Sequence, residues 1–167
     1  MTKIDELSIQ IQKYIQDNLY NAPEDELDEF SDFEMGLKRF CFEHNRYILI
    51  KLAGEKIQLH LYHDILDAFE EKWCLKILEL PAGNKASITF NDFFLKITPI
   101  VNKNLAICEF TILGTGEYHH CTLYLSQLLD TMRTFIDEVL GMTVKEGYIN
   151  AEDIAKYLGW QLNSVSF

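Results

Sequence analysis

The clearest pattern in the chain lies in its second half, where two apolar, β-prone runs are followed by a helical repeat. Leu105–Leu113 and Glu117–Tyr124 are separated by a short loop that contains glycine, and this arrangement predicts a β-hairpin. From Ser126 to Gly141, apolar residues recur at spacings of three and four, which predicts an amphipathic helix. Ser126 is the expected N-cap of that helix, and Gly141 is expected just past its end.

Two further hairpins are predicted upstream. Arg46–Ala53 and Lys56–Tyr62 flank Gly54, and the second run alternates apolar and polar residues, as a strand with one buried face does. Ala86–Phe90 and Phe93–Val101 form the other pair. Strands joined mainly by tight turns make an antiparallel sheet. The predicted fold class is therefore α+β, a single domain over residues 1–167 with amphipathic helices packed on one face of the sheet.

Helical spacing predicts further helices in other parts of the chain. Residues 3–19 place apolar side chains on one helical face, and Pro23 with the acids that follow it predicts an acidic helical segment over 23–34. Another helical pattern opens at Asp64. Residues 73–80 fit a helix or a strand, and spacing alone does not decide between the two. A short C-terminal helix is predicted over 150–158.

The distribution of charge argues against some classes of binding partner. The formal net charge is −11, from 15 basic and 26 acidic residues, and seven of the acids lie in positions 24–34, where there is no base. A nucleic-acid binder needs a basic face, and the sequence contains no cluster of lysine and arginine that would supply one. The same balance argues against an anionic membrane surface. If charge selects a partner, we expect that partner to be basic.

Cysteine usage and the first residues indicate a compartment. The four cysteines, Cys41, Cys74, Cys108 and Cys121, are far apart and form no C-x-x-C pair, so reduced thiols are expected in a protein of this size. The chain begins without the basic start and apolar run of a signal peptide. No apolar run approaches the roughly 20 residues that span a bilayer. A cytoplasmic location is the expectation.

Candidate chemistry is sparse. Glu117, His119 and Cys121 would share one face of a strand, and all three are zinc-ligand types. Their spacing is not that of a closed zinc site, so ordinary residues of a sheet face are the favoured interpretation. The glycines at 114 and 116 lie between two strands, without the following helix that a phosphate or dinucleotide site uses. We therefore predict no catalytic residue and no cofactor, and an enzyme is not favoured.

The remaining hypothesis is a non-enzymatic, acidic protein-binding module. Its candidate partner-binding residues share the acidic segment and are Glu24, Glu26, Asp28, Glu29, Phe30 and Asp32. An acidic surface of this kind would speed association with a basic partner.

In size, acidity and element order the chain resembles two kinds of small bacterial interaction protein. One is the immunity protein that neutralises a toxin domain. The other is the dimeric chaperone that keeps a secreted effector unfolded, and this resemblance implies that a homodimer is possible. Two alternatives stay open: a small enzyme or zinc-binding protein that uses Glu117, His119 and Cys121, and a structural subunit of a larger assembly.

Overall fold

A computed structural model describes residues 3–15, 22–25, 28–70 and 73–158, apart from the side chains at positions 68, 70, 74, 157 and 158. The described strands form two antiparallel sheets. The first sheet has the order β1 (Leu7–Tyr14), β2 (Arg46–Leu52), β3 (Glu55–His60), and the second has the order β4 (Ala86–Thr89), β5 (Phe93–Ile100), β6 (Leu105–Ile112), β7 (Glu117–Tyr124). The α+β class predicted from the sequence is confirmed, with two sheets in place of one.

Five α-helices accompany the sheets in the described part of the chain. They are α1 (Asp32–Glu43), α2 (Leu66–Glu70), α3 (Trp73–Leu78), α4 (Leu125–Lys145) and α5 (Ala151–Leu158). A π-helical turn, Leu61–Ile65, leads from β3 into α2. Residues 73–78, for which the sequence left two interpretations, are helical.

The core lies between the two sheets and the helices. Residues of the strands alternate between buried and more exposed positions along much of their length, and α4 contacts β1 of the first sheet as well as β6 and β7 of the second. The buried stripe of α4 keeps the spacing predicted from the sequence and includes Leu128, Met132, Phe135, Ile136, Val139 and Leu140. One continuous cluster of buried apolar residues spans both sheets.

The sheets also meet at a strand edge. Asp5, just before β1, forms a parallel bridge with Leu123 of β7, and the backbone N–H of Asp5 donates to the carbonyl of Thr122 at 2.8 Å. The start of the first sheet is therefore hydrogen-bonded to the last strand of the second.

The helix predicted over residues 3–19 is wrong for the described part, because Leu7–Tyr14 is the strand β1. Leu7, Ile9 and Ile11 pair with Leu52, Ile50 and Ile48 of β2. These residues recur every second position, which places them on one face of a strand. The strand spacing and the helical spacing coexist here, and pairing with β2 decides between them. Residues 16–19 lie outside the described residues.

The helix predicted from Pro23 begins instead at Asp32, with Ser31 as its N-cap. The described residues 22–25 and 28–31 are not helical. The Asp25 carboxylate accepts hydrogen bonds from the backbone N–H groups of Glu29 and Phe30, at 2.9 and 3.2 Å. Asp28 has a φ of 51°, which a right-handed helix does not allow. An aspartate side chain that bonds nearby backbone groups competes with helix formation in this way.

The ends predicted for α4, with Ser126 as the N-cap and Gly141 just past the last turn, are wrong. α4 runs through Gly141 to Lys145 and has no side-chain cap of its own, since Tyr124 is at the N-cap position. Its first turn is capped from another loop. The side-chain oxygen of Asn104 accepts from the Ser126 N–H at 3.0 Å, and the Asn104 carbonyl accepts from the Leu125 N–H at 2.9 Å.

A buried carboxylate shapes the entry to α2. The Asp64 side chain is almost fully buried, and one of its oxygens accepts from the backbone N–H of His60 at 2.7 Å. Burial raises the pKa of Asp64 above its ordinary value of 3.8.

Candidate functional sites

The acidic segment forms one side of a surface cleft of about 870 Å³. The cleft is also lined by residues of α1 and by Gly147 and Tyr148, which precede α5. Five carboxylates line the cleft, and they belong to Glu24, Asp25, Asp28, Asp32 and Glu43. Arg39 supplies the one basic side chain among the described lining residues. The cleft is therefore strongly anionic, with apolar contributions from Phe30 and Met35.

The acids of the segment have two different roles. Asp25 is partly buried, and its carboxylate holds the backbone of residues 29 and 30 through the hydrogen bonds described above. Glu24, Asp28 and Asp32 are exposed. The first role is structural, whereas the exposed carboxylates are available to an incoming group.

The wall formed by α1 depends on a capping box. Ser31 Oγ accepts from the Glu34 N–H at 3.1 Å, and the Glu34 carboxylate accepts from the Ser31 N–H at 3.2 Å. This reciprocal pair satisfies backbone donors that the first turn of a helix leaves without partners. It also fixes Ser31 as the point where the non-helical part of the acidic segment ends and α1 begins.

Two contacts hold the Tyr148 segment against α1. The backbone of Gly36 approaches Tyr148 and Ile149 so closely that a Cβ at Gly36 would lie 2.8 Å from Ile149 Cγ2. At the C-terminal end of α1, the Tyr148 hydroxyl donates to the Glu43 carboxylate. This hydrogen bond to Glu43 raises the pKa of Tyr148 to about 12, because removing the proton would place a phenolate beside a carboxylate.

An aromatic ring of the cleft already contacts a cation of the protein itself. The Lys38 ammonium lies 4.4 Å from the centroid of the Phe30 ring, within the distance of a cation–π contact. The ring of Phe30 is partly exposed and also lines the cleft.

The predicted partner-binding residues are mostly brought together. Glu24, Asp28, Phe30 and Asp32 line the cleft. Glu29 is exposed but is not part of the lining, and Glu26 lies outside the described residues. Sequence reasoning missed Glu43 and Tyr148. They lie 105 positions apart, and no local pattern signals such a contact.

A second cluster lies where the two sheets meet. His119 Nε2 is 3.3 Å from an oxygen of Glu117 and 3.9 Å from an oxygen of Glu55. The imidazole ring stacks on Phe110, with ring centroids 5.0 Å apart and an interplanar angle of 21°. Glu117 and His119 are two of the three predicted zinc-ligand candidates, and Glu55 is a neighbour that the sequence did not indicate.

Cys121, the third candidate, has a different neighbour. It pairs across the sheet with Cys108 of β6, and both thiols are buried. A hydrogen bond between the two thiols raises the pKa of Cys108, and burial adds to this effect. The same bond lowers the pKa of Cys121, because the Cys108 S–H donates to the Cys121 sulfur and stabilises its thiolate. The side chain of Cys74 lies outside the described residues.

Among the described helices, none has the length and hydropathy that crossing a bilayer requires. Comparison of the chain with protein-family models, with curated proteins and with solved structures finds no match.

Proposed function

We propose that this protein is a non-enzymatic, acidic protein-binding module whose cleft receives a basic segment of a partner protein. The observation that carries the proposal is the lining of the cleft. The lining contains five carboxylates and a single guanidinium, and three of the carboxylates, those of Glu24, Asp28 and Asp32, are exposed and not engaged by the hydrogen bonds described above. The partly exposed Phe30 and the mostly buried Met35 are the apolar side chains of the lining.

The lining fits the chemistry of lysine and arginine. These side chains place an aliphatic stem along apolar surface while the charged head reaches solvent or an anion. In the cleft, the stem would lie along Phe30 and Met35, and the head would reach Glu24, Asp28 or Asp32. Arginine also stacks on aromatic rings and binds carboxylates with two parallel hydrogen bonds. A segment rich in arginine is therefore the expected occupant.

The charge of the cleft also predicts how binding proceeds. Clustered charge of one sign accelerates encounters with an oppositely charged partner, and the acceleration falls as salt is added. Cys108 and Cys121 are buried thiols that are not joined in a disulfide although they face each other across the sheet, and we accordingly place this interaction in a reducing, cytoplasmic compartment. The chain resembles two kinds of interaction protein, the immunity protein and the secretion chaperone. The chaperone holds its partner unfolded, and an unfolded segment fits this surface cleft better than a folded toxin domain does.

The test measures binding of a fluorescent peptide of alternating arginine and leucine by anisotropy, at low and at physiological salt. The cleft variant combines Glu24→Gln, Asp28→Asn and Asp32→Asn, which leave the Asp25 hydrogen bonds intact. The matched control removes the same charge elsewhere through Glu79→Gln, Asp130→Asn and Glu152→Gln, all at exposed positions.

We expect the cleft variant to lose at least about tenfold in affinity at low salt. Clustered charge raises the association rate of an oppositely charged partner by about tenfold or more. The control should stay within about twofold of the unmodified protein, since scattered surface charges contribute little. Equal losses in both variants would show that overall acidity, and not the cleft, attracts the peptide. Absence of binding by the unmodified protein at low salt would also overturn the proposal.

A further inference from the structure

The cluster at the junction of the sheets has the composition and spacing of a metal site. We propose that Glu55, Glu117 and His119 bind a zinc ion that links the first sheet to the second. Their ligand atoms, one imidazole nitrogen and two carboxylate oxygens, all lie within 4.8 Å of one another.

Two of the three distances between ligand atoms lie near the value expected for tetrahedral zinc, and the third, between the two glutamate oxygens, is at most 4.8 Å. Ligand atoms bound at about 2.0–2.1 Å around a tetrahedral ion lie about 3.3 Å from each other. His119 Nε2 and the Glu117 oxygen are already 3.3 Å apart. The 3.9 Å separation between His119 Nε2 and the Glu55 oxygen must close by roughly half an ångström, a shift within reach of a flexible glutamate side chain.

The fold positions each ligand from a rigid element. Glu117 and His119 are two apart on β7, so their side chains leave the same face of that strand. Phe110 lies opposite His119 in the neighbouring strand and stacks on its ring. Glu55 is the first residue after the turn of the β2–β3 hairpin, in which Ala53 and Gly54 both have positive φ. Positive φ at both central residues is the geometry of a type I′ turn, which fixes the register of the strands it joins.

The electrostatics favour a divalent cation. Two carboxylates face a single imidazole here, so a proton on His119 would balance one negative charge and a doubly charged ion would balance both. The imidazole nitrogen favours zinc over magnesium or calcium, which prefer oxygen ligands alone. Three protein ligands leave a fourth position for water. The side chains are 27%, 38% and 55% exposed for His119, Glu55 and Glu117, so an ion from solvent can reach them.

The test titrates zinc chloride into the purified full-length protein by isothermal titration calorimetry. The test variants are His119→Gln and Glu55→Gln, and the matched control is His120→Gln. His120 is the next residue of β7 and lies near Tyr118, with ring centroids 6.4 Å apart, on the other face of the strand. Glu55 is the more informative position, because it belongs to the opposite sheet.

We expect one zinc per chain in the unmodified protein and in the His120→Gln variant. Both test variants should lose at least about tenfold in affinity, since even residues that only support a metal ligand cost that much when they are changed. Zinc should also raise the melting temperature of the unmodified protein but not that of the test variants, because an ion that binds only the folded state stabilises it. Circular dichroism confirms that each variant is folded.

Unchanged zinc affinity in Glu55→Gln and His119→Gln would overturn the proposal, as would an equal loss in His120→Gln. Absence of saturable zinc binding by the unmodified protein would also overturn it and leave the cluster as the contact between His119 and Glu117 with Glu55 nearby. The peptide experiment on the cleft uses none of these residues, so either proposal can fail without the other.

Discussion

The backbone of Gly36, in the middle of α1, packs directly against the carbonyl group of Tyr148 and the side chain of Ile149. A methyl group at position 36 would have to displace backbone atoms, which cannot rotate away as the end of a side chain can. We therefore expect Gly36→Ala to destabilise the protein by about 1–3 kcal/mol, the usual penalty for overpacking. Chemical denaturation followed by circular dichroism measures the change.

Gly114→Ala is the matched control for this substitution. A Cβ at Gly114 meets nothing within 4 Å, and its φ is not positive, so the change should be neutral or stabilising by up to about 1 kcal/mol. Alanine in place of a helical glycine normally stabilises by about 0.5–1 kcal/mol. A more stable Gly36→Ala protein would therefore contradict the close approach of Gly36 and Tyr148.

The cap that Asn104 places on α4 predicts a second stability effect. Asn104→Ala removes the side-chain acceptor for the Ser126 N–H and puts alanine at a φ of 51°. We expect a loss of about 1–2 kcal/mol, combining a lost cap with left-handed backbone strain. Asn104→Gly removes the cap without the strain, so its stability should lie between that of the unmodified protein and that of Asn104→Ala. Asn102→Ala, two residues earlier and also exposed, should change stability by less than about 0.5 kcal/mol.

Burial of Asp64 predicts a pH dependence of stability. Its pKa is raised above 3.8 by burial, so the folded protein holds the proton more tightly than the unfolded chain does. The stability that this proton contributes is present below pH 3.8 and is lost as pH rises through the folded-state pKa. Asp64→Asn keeps an oxygen that can accept the His60 N–H but carries no titrating charge. Its stability should therefore improve relative to the unmodified protein as pH increases.

Denaturation curves at several pH values above 3.8 measure this difference. Asp130→Asn, at an exposed position on α4, serves as the control for removing one negative charge. If the stabilities of Asp64→Asn and the unmodified protein ran parallel with pH, Asp64 would have the same proton affinity in both states.

The paired thiols predict an order of chemical reactivity. Iodoacetamide reacts with thiolates, and the hydrogen bond between the sulfurs lowers the pKa of Cys121 while it raises that of Cys108. Cys121 is also 8% exposed, whereas Cys108 is fully buried. Brief alkylation of the folded protein, read by peptide mass spectrometry, should label Cys121 at least about tenfold faster than Cys108. Equal rates would show that both thiols react only after the protein unfolds.

Local patterns accounted for the hairpins and for α4, because turn residues and the period of apolar side chains are properties of adjacent positions. They did not account for β1. In that segment apolar residues fit both periods, and the deciding interaction is the pairing of Leu7, Ile9 and Ile11 with a strand that begins at Arg46. Sequence periodicity contains no information about such a distant partner.

In the candidate sites, too, the sequence indicated what neighbouring positions determine and missed what distant contacts determine. The exposed acids of the cleft were visible as a cluster in the sequence, since Glu24, Asp28 and Asp32 are near neighbours. The start of α1 was misplaced, because the Asp25 side chain bonds to the backbone of Glu29 and Phe30 and so replaces helical hydrogen bonds. Glu55 could not have been assigned to His119, since only the packing of one sheet against the other brings them together.

The bridge between Asp5 and Leu123 has a consequence for how the molecule opens. Separating the two sheets requires breaking the hydrogen bond from the Asp5 N–H to Thr122, and it exposes the apolar cluster that both sheets share. If one sheet unfolded alone, the buried apolar face of the other sheet would be exposed to water. Amide hydrogens in β2 and in β6 should therefore exchange with solvent at a common slow rate, as members of one cooperative unit.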